Sequence, residues 1–271
     1  MENLFALDWS LIGVTIGLFI GLVLALTGAG GSILAIPLLM LGLNLSFNQA
    51  APIALLAVLL AAIFGTAQGL YKNTVRYRTA ILIASFGVLF APVGVWVASH
   101  IPSAILSLIF AVVMLYVAWH MWHQSSIAQT SQQNLPDMPC MVSKVTSRLY
   151  WTSACTRRLI ATGVVAGFAS GLLGVGGGFV IVPSLRKVSN FNMQTIVATS
   201  LMVVSIVSIV SIVSYNSAAP LQWKIAIPFM LSTVLGLLIG SQFSQKVSTK
   251  ISQRGFALLA VLAAILMIFR Y

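Results

Sequence analysis

Residues 171–183 read GLLGVGGGFVIVP, with glycine at five of the first eight positions and proline at the end. Each glycine costs a helix interior about 1 kcal/mol relative to alanine. A segment this apolar would ordinarily form one continuous helix, so the glycines predict a break in it. Glycine supplies the positive φ of a sharp reversal and lets backbones approach closely.

The surrounding chain places that break in a membrane. The 271 residues are 59% hydrophobic and 6% charged, whereas soluble domains carry about a quarter charged residues. The apolar stretches run to about 20 residues without the alternation of barrel strands, which predicts an all-α polytopic membrane protein. Fourteen Lys and Arg stand against three acids. They occupy short loops between apolar segments, the pattern of a bilayer partner, and this argues against nucleic acid. The N-terminal MENLFALDWS lacks the positive region of a cleaved signal, so residues 10–27 are expected to be retained. Cys140 and Cys155 show no metal spacing and are expected to stay reduced. The sequence calls for no cofactor and no metal.

The quoted stretch has a twin. GAGGSILAIP (Gly28 to Pro37) aligns with GVGGGFVIVP (Gly174 to Pro183) at an offset of 146 residues. The same offset, without a gap, pairs Gly17 with Gly163, Gly21 with Gly167, Asn44 with Asn190, Tyr77 with Trp223, Arg78 with Lys224 and Gly94 with Gly240. The chain therefore divides into a first membrane repeat, 1–123, a polar linker, 124–154, and a second membrane repeat, 155–271. Apolar segments are predicted at 10–27, 32–43, 49–70, 79–98 and 102–122, then at 159–173, 178–185, 193–215, 223–243 and 251–270. The second segment of each repeat is too short to cross a bilayer.

Charge sets the orientation. Lys72, Arg76 and Arg78, the linker's Lys144 and Arg148 with Arg157 and Arg158 just after it, then Arg186 and Lys187, then Lys246, Lys250 and Arg254 all fall in stretches that the positive-inside rule makes cytoplasmic. Connections 44–48, 99–102 and 216–222 are nearly free of basic residues and are expected to face out. Corresponding loops of the two repeats thus fall on opposite sides, which predicts inverted repeats with the N-terminus outside. Each repeat would hold a Gly-broken helical hairpin plus three transmembrane helices.

Irregular backbone at membrane depth is tolerated only where protein or a watery cavity surrounds it, and in inverted-repeat transporters two such breaks meet at the substrate. The short helices are predicted to start near Gly31–Ser32 and Gly177–Gly178. Their free N–H groups and positive dipole ends would favour an anion. The candidate substrate contacts are Thr27, Gly28, Gly30, Gly31 and Ser32 in the first repeat. In the second they are Ser170, Gly174, Gly176, Gly177 and Gly178, with Thr199 and Ser200 from the following segment. Asn44 and Asn190 are expected to turn the hairpin exits, and Arg186 and Lys187 to stand at the cytoplasmic mouth. Glu2, Asp8 and Asp137 all lie outside the predicted spans, and a buried carboxylate is what a proton-coupled or cation carrier usually keeps. HExxH, GxSxG and paired aspartates are missing from the spans, so no enzyme is expected.

The paired stretches GLVLALTGAGGSILAIPLL and GLLGVGGGFVIVPSL, with ATSL (Ala198 to Leu201) after the second, resemble the Gly–Pro motifs of the TauE/SafE family of sulfite exporters. The resemblance implies transport of a small sulfur-containing anion, such as sulfite or an organosulfonate, across a bacterial inner membrane. Two positions depart from symmetry: Ser32 stands opposite Gly178, and PIAL (Pro52 to Leu55) stands opposite ATSL. The alternatives are a permease for another small anion or organic acid, and a membrane assembly factor that transports nothing.

Overall fold

The computed structural model describes residues 2–27, 31–127, 140, 152–216, 222–243 and 249–270. Its elements are ten α-helices: α1 Glu2–Thr27, α2 Gly31–Leu43, α3 Phe47–Tyr71, α4 Tyr77–His100, α5 Ser103–Ile127, α6 Ser153–Leu173, α7 Gly178–Val188, α8 Met193–Asn216, α9 Trp223–Phe243 and α10 Thr249–Arg270. Among the described residues, α3, α4, α5, α8 and α9 are long and apolar enough to cross a membrane. The chain is a multi-pass membrane protein. α1 starts eight residues ahead of the apolar stretch read from the sequence, so Glu2 and Asp8 fall in its first turns.

α2 and α7 have 13 and 11 residues. At about 1.5 Å per residue they run only ~20 and ~17 Å, short of a hydrocarbon core of about 30 Å. Both continue through their prolines, Pro37 and Pro183; neither proline ends its helix. Asn44 leaves α2 at φ 50°, a left-handed residue that turns the hairpin exit toward α3. α2 lies deep in the core, with Ile33, Leu34, Ile36, Leu39 and Met40 all buried. α3 and α8 are the most buried of the crossing helices. Ala50, Ala51, Ala54, Ala57 and Ala61 give α3 a smooth face for its neighbours.

The packing obeys the sequence repeat. α1 lies along α9, and α4 along α6; the 146-residue offset converts one pair into the other. α3 packs on α8, and α5 on α10, each pair mapping onto itself. The register is kept down to single glycines. A β-carbon at Gly17 would stand 2.7 Å from the Phe229 carbonyl oxygen, and one at Gly163 would stand 2.5 Å from that of Ile83, the counterpart of Phe229. Gly94 presses on the backbone at Phe168, and Gly240 on the backbone at the counterpart residue, Leu22. In lipid, close backbone contact of this kind is a main source of helix association.

One expectation is corrected. Cys140 and Cys155 form a disulfide, with their α-carbons 5.1 Å apart. The cause is a tertiary contact. The Cys140 N–H donates to the Val188 carbonyl at 3.1 Å, in an isolated parallel bridge beside Ser189. That bridge holds this linker residue against the end of α7 and over the first turn of α6, where Cys155 is buried.

Candidate substrate site

The second break answers the question set by residues 171–183. α6 ends at Leu173, and Gly174, at φ 69°, donates its N–H to the Ser170 carbonyl at 2.9 Å. Gly176 and Gly177 follow at φ 71° and 70°. Left-handed backbone costs a residue with a β-carbon roughly 1–2 kcal/mol, and three such positions within four residues leave glycine as the fitting choice. Space demands it too: a β-carbon at Gly177 would collide with the Ala166 carbonyl, and one at Gly174 would stand 2.6 Å from the Ala51 β-carbon. Gly178 is the first helical residue of α7 and is buried. Gly177 is its N-cap, and no side chain caps the helix. The first N–H groups of α7 thus open into the break without a side-chain acceptor, at the positive end of the helix dipole.

Two α8 serines border this break. Ser170, fully buried, shares a 3.2 Å hydrogen bond with Ser211, whose own hydroxyl donates to the Val207 carbonyl at 3.1 Å. Ser170 is therefore the donor to Ser211. Ser208 is also fully buried, and its Oγ has no hydrogen-bond partner. Ser200, Ser205, Ser211 and Ser214 on the same helix all donate to carbonyls three or four residues back. Ser208 does not; its Oγ would stand 3.0 Å from a β-carbon at Gly176. An orphaned buried hydroxyl costs about 1–3 kcal/mol, and this one lies against Gly176, two residues before α7 begins.

The first break is built differently. α1 ends at Thr27 and α2 starts at Gly31; Gly28 and Gly30 lie outside the described residues. Thr27 is buried, donates to the Val23 carbonyl at 2.8 Å and accepts from the Gly31 N–H at 3.1 Å. It thereby caps α2. Gly31 has no room for a side chain, since a β-carbon would lie 2.5 Å from the Leu24 nitrogen. Ser32 is buried in the first turn of α2. α2 and α7 touch each other, so the elements carrying both breaks come together.

Thr199 and Ser200 sit two turns before Ser208 on α8. The Thr199 Oγ1 accepts from the Arg76 N–H at 3.1 Å, under the α3–α4 connection, and Ser200 donates to the Val197 carbonyl at 2.8 Å. At this level a cavity of about 130 Å³ lies between α1, α3, α8 and α9. Its polar lining comes from Gln68, Lys72, Thr74, Gln194 and Ser241, and its apolar wall includes Leu24 near the end of α1. Lys187 lines a different hollow, bounded by α5, α6 and α7.

Residues 13–267 match the family model described as "Sulfite exporter TauE/SafE". The chain belongs to the TauE/SafE family. A probable membrane transporter protein of Xylella fastidiosa is similar at 29% identity over 265 residues, 95% of each chain. One of Methanocaldococcus jannaschii is 26% identical over 252 residues, 86% of this chain and 87% of the relative. One of Bacillus subtilis is 23% identical over 244 residues, 88% and 89%. No solved structure matches the chain. The bacterial inner membrane expected from the sequence fits the TauE/SafE family.

In this TauE/SafE chain the sequence did not single out Ser208, Gln68 or Gln194, and it marked Lys72 only as a loop charge. Gln68 carried a signal, as an uncharged amide inside an apolar segment. Ser208 carried none that separates it from the other α8 serines.

Proposed function

We propose that the chain carries a small sulfur-containing oxyanion, sulfite or an organosulfonate, across the membrane, bound where the two Gly-rich breaks meet. The observation that carries this reading is the second break: a helix N-terminus without a side-chain cap, with the orphaned hydroxyl of Ser208 lying against Gly176 just before it. The family membership supports transport, and the donor set supports an anion. N–H groups and hydroxyls donate hydrogen bonds, and the chain's three acids, Glu2, Asp8 and Asp137, lie far along the sequence from both glycine clusters. A helix N-terminus supplies about 0.3–1 kcal/mol in exposed settings and up to ~2 when partly buried. Such a site binds weakly enough to release its cargo. The cavity lined by Gln68, Lys72 and Gln194 is the approach from the basic side. The exchanged packing of α1 on α9 and α4 on α6 supports two repeats of one ancestry. The loop charges support their inversion, with the breaks as the fixed point around which they rock.

Reconstitution into proteoliposomes tests the reading. Sulfite or a small organosulfonate should exchange across the bilayer, and each should compete with the other. Exchange of a carboxylate that sulfur anions do not inhibit would favour the organic-acid permease, and no flux of any anion would favour the assembly factor.

A further inference from the structure

The repeat symmetry of the packing is not complete. α10 packs on α2, whereas its counterpart α5 makes no comparable packing contact with α7. The space left between α5, α6 and α7 is a groove of about 460 Å³. Its wall is apolar along most of its length, with Val113, Phe168, Leu172 and Phe179 among the lining residues. One end is different: Tyr116, His120, Ser184 and Lys187 gather there. Arg186 and Lys187 both lie near enough to act on His120 electrostatically. The α5 lining from Ile109 to His120 rises through eleven residue steps, or about 16 Å at ~1.5 Å each. That is half of a hydrocarbon core of about 30 Å, the depth of one leaflet.

We propose that this groove is a binding site for one anionic phospholipid, its acyl chain lying along α5 and α7 and its headgroup held at Lys187. The occupant follows from the charge and the length. A zwitterionic lipid would fill the apolar wall equally well but would bring its own cation to a cationic end. A basic pocket between membrane helices selects an anionic headgroup. The bound chain would fill the contact that α10 makes with α2 on the other side of the molecule. It would brace α7, and through it the second break. This site is separate from the proposed anion site and holds whether or not the chain carries sulfur anions.

The test uses the full chain, purified in neutral detergent, with thermal unfolding followed on adding phosphatidylglycerol, phosphatidylcholine or inorganic phosphate. Phosphatidylglycerol should raise the unfolding temperature by several degrees, phosphatidylcholine much less, and phosphate not at all. Lys187→Gln should remove the preference for phosphatidylglycerol while leaving a small response to both lipids. Val165→Trp, at the exposed rim of the groove, should weaken both lipid responses without relying on a core substitution. Equal shifts from the two lipids overturn the proposal, as does an undiminished preference in Lys187→Gln. A lipid-independent dimer that Val165→Trp dissociates would also overturn it, by making a second copy of the chain the occupant.

Discussion

The two glycine breaks descend from one sequence pattern and differ in how they spend their polar groups. At the first, Thr27 accepts the Gly31 N–H and the start of α2 is closed. At the second, the position equivalent to Thr27 is Leu173, the start of α7 has no side-chain cap, and Ser208 lies against Gly176 with an unpartnered hydroxyl. Ser208 in turn has Ala62 as its counterpart on α3. The helix interfaces kept the symmetry because backbone against backbone leaves no freedom. On the proposed function, the first break is structural and the second supplies the free donors of the site.

The largest effect that would break this comparison is steric. Gly176→Leu adds a side chain at φ 71° with Val204 Cγ1 2.9 Å and Ser208 Oγ 3.0 Å from its β-carbon. Transport in proteoliposomes should be abolished. Gly177→Ala should lose at least the roughly 1–2 kcal/mol of a left-handed alanine, and more from the collision with the Ala166 carbonyl, read as a lowered unfolding temperature. Full activity in Gly176→Leu would separate the break from the site.

A pair of small substitutions sharpens the contrast. Ser208→Ala should raise the half-saturating substrate concentration about two- to tenfold, the worth of one neutral hydrogen bond of about 0.5–1.5 kcal/mol. It should leave stability unchanged or slightly improved, because it removes an orphaned hydroxyl. Thr27→Ala should do the reverse, costing about 1 kcal/mol of stability as a lost cap with affinity unchanged. Flux kinetics and thermal unfolding on the same two preparations decide it. A loss of affinity in Thr27→Ala alone would move the chemistry to the first break.

How much of this was legible beforehand follows from what each feature depends on. The ten helical segments were, because apolar runs and charge-bearing loops are local properties of the chain. Gly174, Gly176 and Gly177 were, because positive φ in tight surroundings writes itself as glycine. The roles of the hydroxyls were not. Thr27, Thr199 and Ser208 are alike on paper, and only the surrounding backbone decides that the first caps α2, the second accepts from Arg76 and the third is left without a partner. The void beside α7 was illegible for the same reason: α5 and α10 are equally apolar, and only their placement differs.

A smaller effect separates the two basic sites. Lys72 lines the cavity between α3 and α8, whereas Lys187 lines the groove beside α5. Lys72→Gln should lower transport at low ionic strength and matter less at high salt, because the Debye length falls from about 30 Å at 0.01 M to ~8 Å at 0.15 M. Lys187→Gln should show little of this salt dependence. The reverse result would return the mouth of the pathway to Arg186 and Lys187.

The smallest expected effect on transport comes from the disulfide, and it bears on orientation. Cys140–Cys155 ties the linker to α6, on the side that the basic residues make cytoplasmic. Disulfides in that compartment are rare, and those found there are mostly transient or redox-sensing. The bond should therefore be reduced in growing cells, with both thiols alkylated by maleimide once the acid-quenched protein is unfolded, and should form when a thiol oxidant is added. Cys155→Ser should change flux by less than about twofold, because the Cys140 N–H keeps its bond to Val188 and one such bond is worth only about 0.5–1.5 kcal/mol. A bond that stays oxidised in untreated cells, with the linker cleaved by protease added outside, would put residues 124–154 on the external face. The positive-inside orientation would then fail, and with it the side from which substrate enters between α3 and α8. The difference between the two breaks would stand, because it rests on hydrogen bonds and backbone angles that do not depend on which way the chain is inserted.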